Sequence, residues 1–230
     1  EYTGIIDFER GRMDTLTPFP WLTDTSVGPW FHQESSPYKS ANDLVDVLVD
    51  IVSKNGCMLL NVGPAADGSI PPEAQSLLRS IGAWLGVNGE AIYATRPWHV
   101  FGEGPTENAG GGFSERQDKP YTAQDMRFTQ SKDGRSVYVI ALDWPGEPII
   151  LRTMKVAETD GDAHIALLGY RGVVPYQTTA DGHLRIEAPD LAPEARPCEH
   201  AFVFKLIGFE LALDAGAVAK TSTTDATPQD

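Results

Sequence analysis

The residues able to do chemistry crowd into the first forty positions. Phe8-Glu9-Arg10-Gly11 sets a carboxylate beside a guanidinium, Asp24 stands between two threonines, and Trp30-Phe31-His32-Gln33-Glu34 mixes aromatic and polar groups ahead of Pro37. A carboxyl group whose surroundings hold its pKa up can protonate a leaving group and later activate water. A guanidinium can orient such a carboxylate or hydrogen-bond a hydroxyl. Each residue also has a plainer reading. Glu9 also reads as a surface carboxylate paired with Arg10 or Arg12, Glu34 as a solvated loop residue, and Asp24 as a tie for local backbone. Trp21, Trp30 and Phe31 are good core material, and a lone loop histidine such as His32 is usually just exposed. Five scattered histidines and two separated cysteines offer no H-x-x-x-H or C-x-x-C spacing, so no metal is implied. Gly110 to Gly112 follow no strand-to-helix transition, so no phosphate-cradling loop and no cofactor is implied either, and no Ser-His-Asp spacing stands out.

The elements around these residues alternate strand and helix. Tyr2–Phe8 reads as a strand entering the loop Glu9–Arg12, and Trp21–Thr25 as the next strand, followed by the loop Gly28–Pro37. Ser40 with Asp43 gives a capping box, and Leu44, Val45, Leu48, Ile51 and Val52 recur at helical spacing. Lys54 falls in the last turn, and Gly56 is placed to take a left-handed backbone beyond it. Cys57–Val62 is apolar at almost every position, the pattern of a strand covered on both faces. Its loop, Asn61–Gly68, leaves the carboxyl edge, where α/β barrels keep their chemistry. A second helix starts near Pro72, buries Leu77, Leu78, Ile81, Trp84 and Leu85, and ends at Gly89; Glu90–Trp98 reads as a strand and exit. Trp84 and Trp98 fit packing better than recognition, and Asp67-Gly68 a turn better than a ligand contact.

From Val100 to Tyr121 the glycines predict a flexible linker or long loop. Six short strands are then predicted, Met126–Gln130, Ser136–Leu142, Pro148–Thr153, Ile165–Leu168, His183–Glu187 and Ala201–Leu206, with hairpin signals at Asp133-Gly134 and Asp181-Gly182. The alternation Val137, Val139, Ala141 against Tyr138, Ile140, Leu142 puts that strand in an interior with both faces covered. Residues 214–230 lack periodicity and read as a disordered tail.

With 41% hydrophobic residues the chain can bury a core, and two cysteines are too few for a disulfide framework. Cys57, in a buried strand, and the distant Cys198 are expected as free thiols. A net charge of −14 argues against a nucleic-acid partner. No apolar run approaches the roughly 20 residues of a membrane span, so no membrane partner is expected.

The phrases Asn55-Gly56-x-x-Leu59-Leu60-Asn61-Val62-Gly63-Pro64-x-x-Asp67-Gly68-x-Ile70-Pro71 and Asn88-Gly89-Glu90-Ala91-Ile92-Tyr93-x-Thr95-Arg96-Pro97-Trp98 resemble glycoside hydrolase family 29, the α-L-fucosidases. The likeness extends upstream to Pro20–Ser26 and Tyr38–Ser40, downstream through Phe101–Thr106 and Phe113, and covers roughly residues 1 to 210. It implies an α/β plus all-β chain: residues 1–98 as the terminal part of a (β/α) TIM-like barrel, 99–213 as an antiparallel β-sandwich, and 214–230 as the tail. A barrel takes about 250 residues, so the chain is expected to be the C-terminal portion of a longer enzyme.

The resemblance further implies a cofactor-free retaining exo-hydrolase that removes terminal fucose from a fucosylated oligosaccharide or glycoconjugate. That mechanism uses two carboxyl groups about 5–5.5 Å apart. The family's nucleophilic aspartate precedes residue 1, so the N-terminal catalytic portion of the same enzyme is an expected partner. Many family members carry Trp-Glu where this chain has Trp21-Leu22, and leucine cannot move a proton. Glu9, at a predicted strand end on the same face, is the leading acid/base candidate and Glu34 the second. Arg10, Trp21, Trp30 and Phe31 are the candidate substrate contacts. The family relationship favours a periplasmic or secreted location and leaves room for a homo-oligomer. A non-catalytic carbohydrate-binding module, or a structural relative that lost its acid at Leu22, are the alternatives.

Overall fold

The computed structural model describes residues 4–33, 35–214 and 216. Glu34 and the expected tail, apart from Asp214 and Gly216, lie outside the described residues. Three strands, β1 (Ile6–Glu9), β2 (Trp21–Ser26) and β3 (Gly56–Asn61), form a parallel sheet in that order. Helix α1 (Ala41–Ser53) crosses from β2 to β3, and α2 (Pro72–Asn88) follows β3. The chain then builds a seven-stranded antiparallel sheet. Its strands are β4 (Thr95–Glu103), β5 (Met126–Ser131), β6 (Ser136–Ala141), β7 (Ile149–Leu167), β8 (Tyr176–Thr178), β9 (His183–Ile186) and β10 (Phe202–Leu213), in the order β4-β5-β6-β10-β7-β9-β8.

The predicted cap of α1 is present: Ser40 Oγ accepts the Asp43 N–H at 3.0 Å, and Asp43 accepts the Ser40 N–H. Its exit differs from expectation. Asn55 takes the left-handed conformation (φ 72°), and Gly56 opens β3 instead. A Cβ on Gly56 would lie 2.5 Å from the Trp21 ring, so that glycine serves close packing rather than a turn.

The helices form a layer between the two sheets. Leu44, Val45 and Val49 of α1 and Ala74, Ile81 and Trp84 of α2 share a core with Tyr138, Ile140 and Val203 on one face of the antiparallel sheet. Its other face, with Val137, Val139, Phe204 and Leu151, closes a second core. Strand β6 is therefore covered on both sides, as its alternation predicted. Trp84 donates to the Ala201 carbonyl at 2.7 Å, and Trp98 packs edge-on against Phe128.

β3 corrects the expectation of a strand buried on both faces. Leu60 packs with the α1 core, but Cys57 is exposed and Leu59 is 51% exposed. Asp7 and Glu9 are exposed on the same sheet face, with Leu22 and Asp24 half-buried beside them. The described residues thus contain parallel strands with a helical crossover, in an open three-stranded sheet. In the second region the strands hydrogen-bond into one antiparallel sheet, because β10 inserts between β6 and β7 and pairs with both.

The two short strands predicted at 148–153 and 165–168 are one strand, β7. Ile149–Leu151 pair with β9, and β10, running on to Leu213, pairs with β7 from Met154 to Thr159 and from His164 to Leu167. The polar run Glu158–Asp162 has no apolar alternation; its end bulges out of the ladder opposite Gly208 (φ 77°), where the register shifts. The expected flexible linker is also tied down. The Asp125 carboxylate accepts the N–H and hydroxyl of both Thr106 and Thr122, at 2.8–2.9 Å.

One buried carboxylate joins these parts. Asp50 of α1 is fully buried and meets Arg127 Nε of β5 at 2.6 Å, Lys54 Nζ at 2.8 Å and Arg12 Nη1 at 3.3 Å. Arg12 also pairs with Asp118, and Arg127 lies over the Tyr121 and Phe101 rings. Burial alone would raise the Asp50 pKa, but Lys54, Arg127 and Arg12 together hold it well below the usual range. Asp50→Asn leaves buried Lys54 and Arg127 without their counter-charge and Arg12 with Asp118 alone, and urea unfolding should read a loss of about 3–5 kcal/mol. Because the folded pKa is depressed, Asp50's contribution is complete above about pH 4 and is lost as pH falls below it. One helical turn away, Asp46 is nearly as buried, and Asn42 donates to its Oδ2 while Oδ1 has no partner. Burial first, then the charge of Asp43, pushes its pKa up to about 8. Its folded pKa exceeds the unfolded one, so stability is shed as pH rises from about 4 toward 8. Asp46→Asn should therefore raise the Tm more at pH 8.5 than at pH 5.

Candidate active site

β1, β2 and β3 bring their carboxyl ends to one edge. β1 ends in Glu9, β2 in Ser26 and β3 in Asn61, with Glu9 in register with Asp24. Just past β1 the chain turns sharply: Arg10 has φ 48°, and its N–H donates to the Asp24 carbonyl at 2.8 Å. That turn swings the guanidinium across the edge. Arg10 Nη2 donates to the Gly28 carbonyl at 3.0 Å, and its Cζ lies 4.6 Å from the centre of the Trp30 ring. Trp30 Nε1 in turn donates to Glu9 Oε1 at 3.1 Å. Glu9, Arg10 and Trp30 thus form a connected set.

The loop that carries Trp30 is clamped from β3. Asn61 Nδ2 donates to the Trp30 carbonyl at 3.1 Å and to Ser26 Oγ at 3.2 Å. Phe31, at the same loop, is 78% exposed, and His32 is exposed beside it. Asp24, half-buried, has one carboxylate oxygen enclosed without a partner. Desolvation first, then the charges of Asp7 and Glu9, raises its pKa, with Arg10 opposing. A cluster of three carboxylates with one guanidinium favours keeping a proton at this edge. Asp67 is exposed and accepts the N–H and hydroxyl of Ser69, so it shapes its turn as its sequence suggested.

Trp21 does not join the set. It opens β2 at the opposite edge of the sheet, is 1% exposed, stacks edge-on against Phe8, and donates its indole N–H to the Lys54 carbonyl at 2.9 Å. Its fit against Gly56 marks it as a packing residue in this structure, apart from the other expected substrate contacts.

Three participants escaped the sequence reading: Thr25, Lys39 and Glu115. Glu115 comes from a 3-10 turn, Ser114–Gln117, within the Gly-rich stretch. Its Oε1 accepts Arg10 Nη1 at 2.8 Å; its Oε2 accepts Lys39 Nζ at 2.8 Å and Thr25 Oγ1 at 2.7 Å. Burial acts to raise the Glu115 pKa, but those three hydrogen bonds hold it below the ordinary value. Desolvation lowers the Lys39 pKa, against the pull of Glu115. Partners separated by 76 to 105 positions leave no local sequence signal.

Carboxylates therefore gather at the carboxyl edge of the parallel strands, and an antiparallel sheet follows them in the chain. Comparison with known proteins supplies the family. Residues 2–90 match the family model described as alpha-L-fucosidase, and residues 118–207 the alpha-L-fucosidase C-terminal domain. Tissue alpha-L-fucosidase of Homo sapiens is 35% identical over 205 residues, covering 87% of this chain and 40% of that protein. Alpha-L-fucosidase of Branchiostoma floridae is 31% identical over 171 residues, covering 74% and 33%. Among solved structures, alpha-L-fucosidase isoenzyme 1 from Paenibacillus thiaminolyticus superposes with a TM-score of 0.65 at 26% identity, over 89% of this chain and 44% of that one. Thermotoga maritima alpha-fucosidase, solved with fucose, gives 0.63 at 26% identity, over 84% and 40%. The chain belongs to the family 29 α-L-fucosidases and corresponds to their C-terminal region. It spans less than half the length of these relatives.

Trp21→Phe should cost about 1–3 kcal/mol in urea unfolding, because the change removes a buried hydrogen bond and part of the packing against Gly56.

Proposed function

We propose that this chain is the C-terminal portion of an α-L-fucosidase, a retaining exo-hydrolase that releases terminal α-L-fucose from an oligosaccharide or glycoconjugate. Residues 1–98 would complete a (β/α) barrel and 99–213 would form the β-domain behind it. The observation that carries the reading is the hydrogen-bonded Glu9–Trp30 pair, with Arg10 stacked on the indole, at the carboxyl edge of the parallel strands. Family membership supplies the chemistry: an aspartate nucleophile from the enzyme's N-terminal portion, and an acid/base opposite it. Export to the periplasm or outside the cell belongs to the same proposal, through the relationship alone.

In this mechanism Glu9 gives its proton to the glycosidic oxygen as the C–O bond breaks, and the nucleophile bonds to the anomeric carbon. Glu9 then removes a proton from water, whose oxygen displaces the nucleophile and restores both carboxyl groups. Trp30 holds one Glu9 oxygen, so the other is directed at the substrate. Exposed Phe31 and the half-buried Trp30 ring offer apolar surface to a sugar face. Leu22 beside Asp7 supplies no proton; its place in the reaction passes to Glu9 on the neighbouring strand.

Glu9→Ala in the full-length enzyme should slow hydrolysis of a fucosyl oligosaccharide by about 10²–10⁴-fold, the usual contribution of a general acid. Activated aryl fucosides should suffer less, and azide should restore their turnover. Unchanged hydrolysis of the oligosaccharide would remove Glu9 from the mechanism and favour a non-catalytic carbohydrate-binding relative.

A further inference from the structure

The stretch between the two family matches, residues 91–117, is assigned to neither. Part of it lies along the segment that carries Glu9. Phe113 N–H donates to the Glu9 carbonyl at 2.7 Å, Glu115 N–H to the Arg10 carbonyl at 3.1 Å, and Gly111 N–H to the Arg12 carbonyl at 2.8 Å. The approach is close: a Cβ on Gly11 would lie within 1.9 Å of the Gly111 carbonyl oxygen. The loop between β4 and β5 of the antiparallel sheet is therefore a wall of the catalytic edge.

From that wall Glu115 reaches Arg10, Lys39 and Thr25 with both carboxylate oxygens, and its side chain is 11% exposed. Arg10 is held on three sides, by Glu115, by the Gly28 carbonyl and by the Trp30 ring. Trp30 is then the direct partner of Glu9. We propose that Glu115 is a positioning residue for the acid/base: it fixes and neutralises Arg10, so that Arg10 orients Trp30 and Trp30 orients Glu9. The proposal rests on the reading of Glu9 as that acid/base.

Without Glu115, Arg10 loses its counter-charge and turns toward carboxylates of the same edge, Asp24, whose charge it already feels, and Glu9, which shares Trp30 with it. The charged groups facing this set are Asp7, Glu9 and Asp24 on the parallel sheet and Lys39 ahead of α1; Arg12 is already engaged by Asp50 and Asp118. A guanidinium facing the general acid favours its ionised form. The protonated form needed for the first step is then lost at lower pH.

The test compares Glu115→Gln, Glu115→Asp and Glu9→Ala in the full-length enzyme, with fucosyl oligosaccharide and activated aryl fucoside as substrates. Glu115→Gln should lower kcat on the oligosaccharide on the order of tenfold, a fraction of the general-acid effect, with less change on the aryl fucoside. The alkaline limb of its kcat/KM profile should move down by about one pH unit. Glu115→Asp keeps the charge and should restore the limb even if kcat recovers only in part. A merely structural role would lower the Tm and leave the limb and the substrate ratio alone. Glu9→Ala crippled while Glu115→Gln keeps the wild-type limb and ratio would overturn the positioning role and leave the functional reading standing. Glu9→Ala with full oligosaccharide activity would overturn both. Should Glu115→Gln fail to fold, Thr25→Val, which removes one bond to Glu115, should give a smaller shift in the same direction; an unmoved limb would count against the proposal.

Discussion

A single carboxylate at the centre of the molecule holds its parts in register. Asp50 sits in α1, fully enclosed, and accepts from a cation in the loop after β1, one at the C-cap of its own helix and one in β5. None of those cations would be tolerated at that depth alone, and the carboxylate would not be either. Each part therefore fixes the others: the loop beyond Glu9 cannot shift relative to α1 without stranding Arg12, nor can the antiparallel sheet without stranding Arg127. Aromatic rings of Tyr121 and Phe101 cover the guanidinium of Arg127 and keep water out. The geometry of the candidate site is tied to this junction, because Arg12 lies two residues beyond Arg10.

A second polar junction lies closer to the surface and serves the site directly. Glu115 gathers Arg10, Lys39 and Thr25 at the edge of the parallel sheet, with more solvent access than Asp50 has. The two junctions divide the work. The buried one sets where the elements lie, and the half-buried one sets where side chains point. Both draw on the loop between β4 and β5, through Asp118 and Glu115. That loop runs close against Glu9–Arg12: a Cβ on Gly11 would strike the Gly111 carbonyl and one on Gly110 would strike Asp14, while Gly111 is needed for its left-handed φ of 100°.

Much of the fold is legible in the residues themselves. The capping box of α1, the helical start at Pro72, the two Asp-Gly hairpins and the doubly buried β6 all follow from local chemistry and period. The family phrases reach further, since they assign the chain to the C-terminal region of the family 29 α-L-fucosidases. Other features resist that reading for identifiable reasons. Trp21 and Trp30 look alike in the sequence, yet one is at the start of β2 and the other beyond its end, and only the strand's direction separates core from site. Cys57 and Leu59 suit a buried strand, but the face they share with Glu9 is the one without helices. β7 hides its middle because the polar run there has no apolar period and bulges opposite Gly208, where the ladder with β10 shifts register.

Taken alone, the amino-acid sequence determined which segments form helices and strands, the carboxylate and aromatic types available for sugar chemistry, and the family. These depend on neighbours a few positions apart, or on words long enough to be specific. The tertiary structure alone decided which of those groups meet. Glu9 finds Trp30 through a left-handed turn at Arg10, and Glu115 reaches Arg10 across 105 positions. Asp50 collects three cations from three elements. Electrostatic and hydrogen-bond energies depend on distance in space and on exclusion of water, and neither is written in the order of residues.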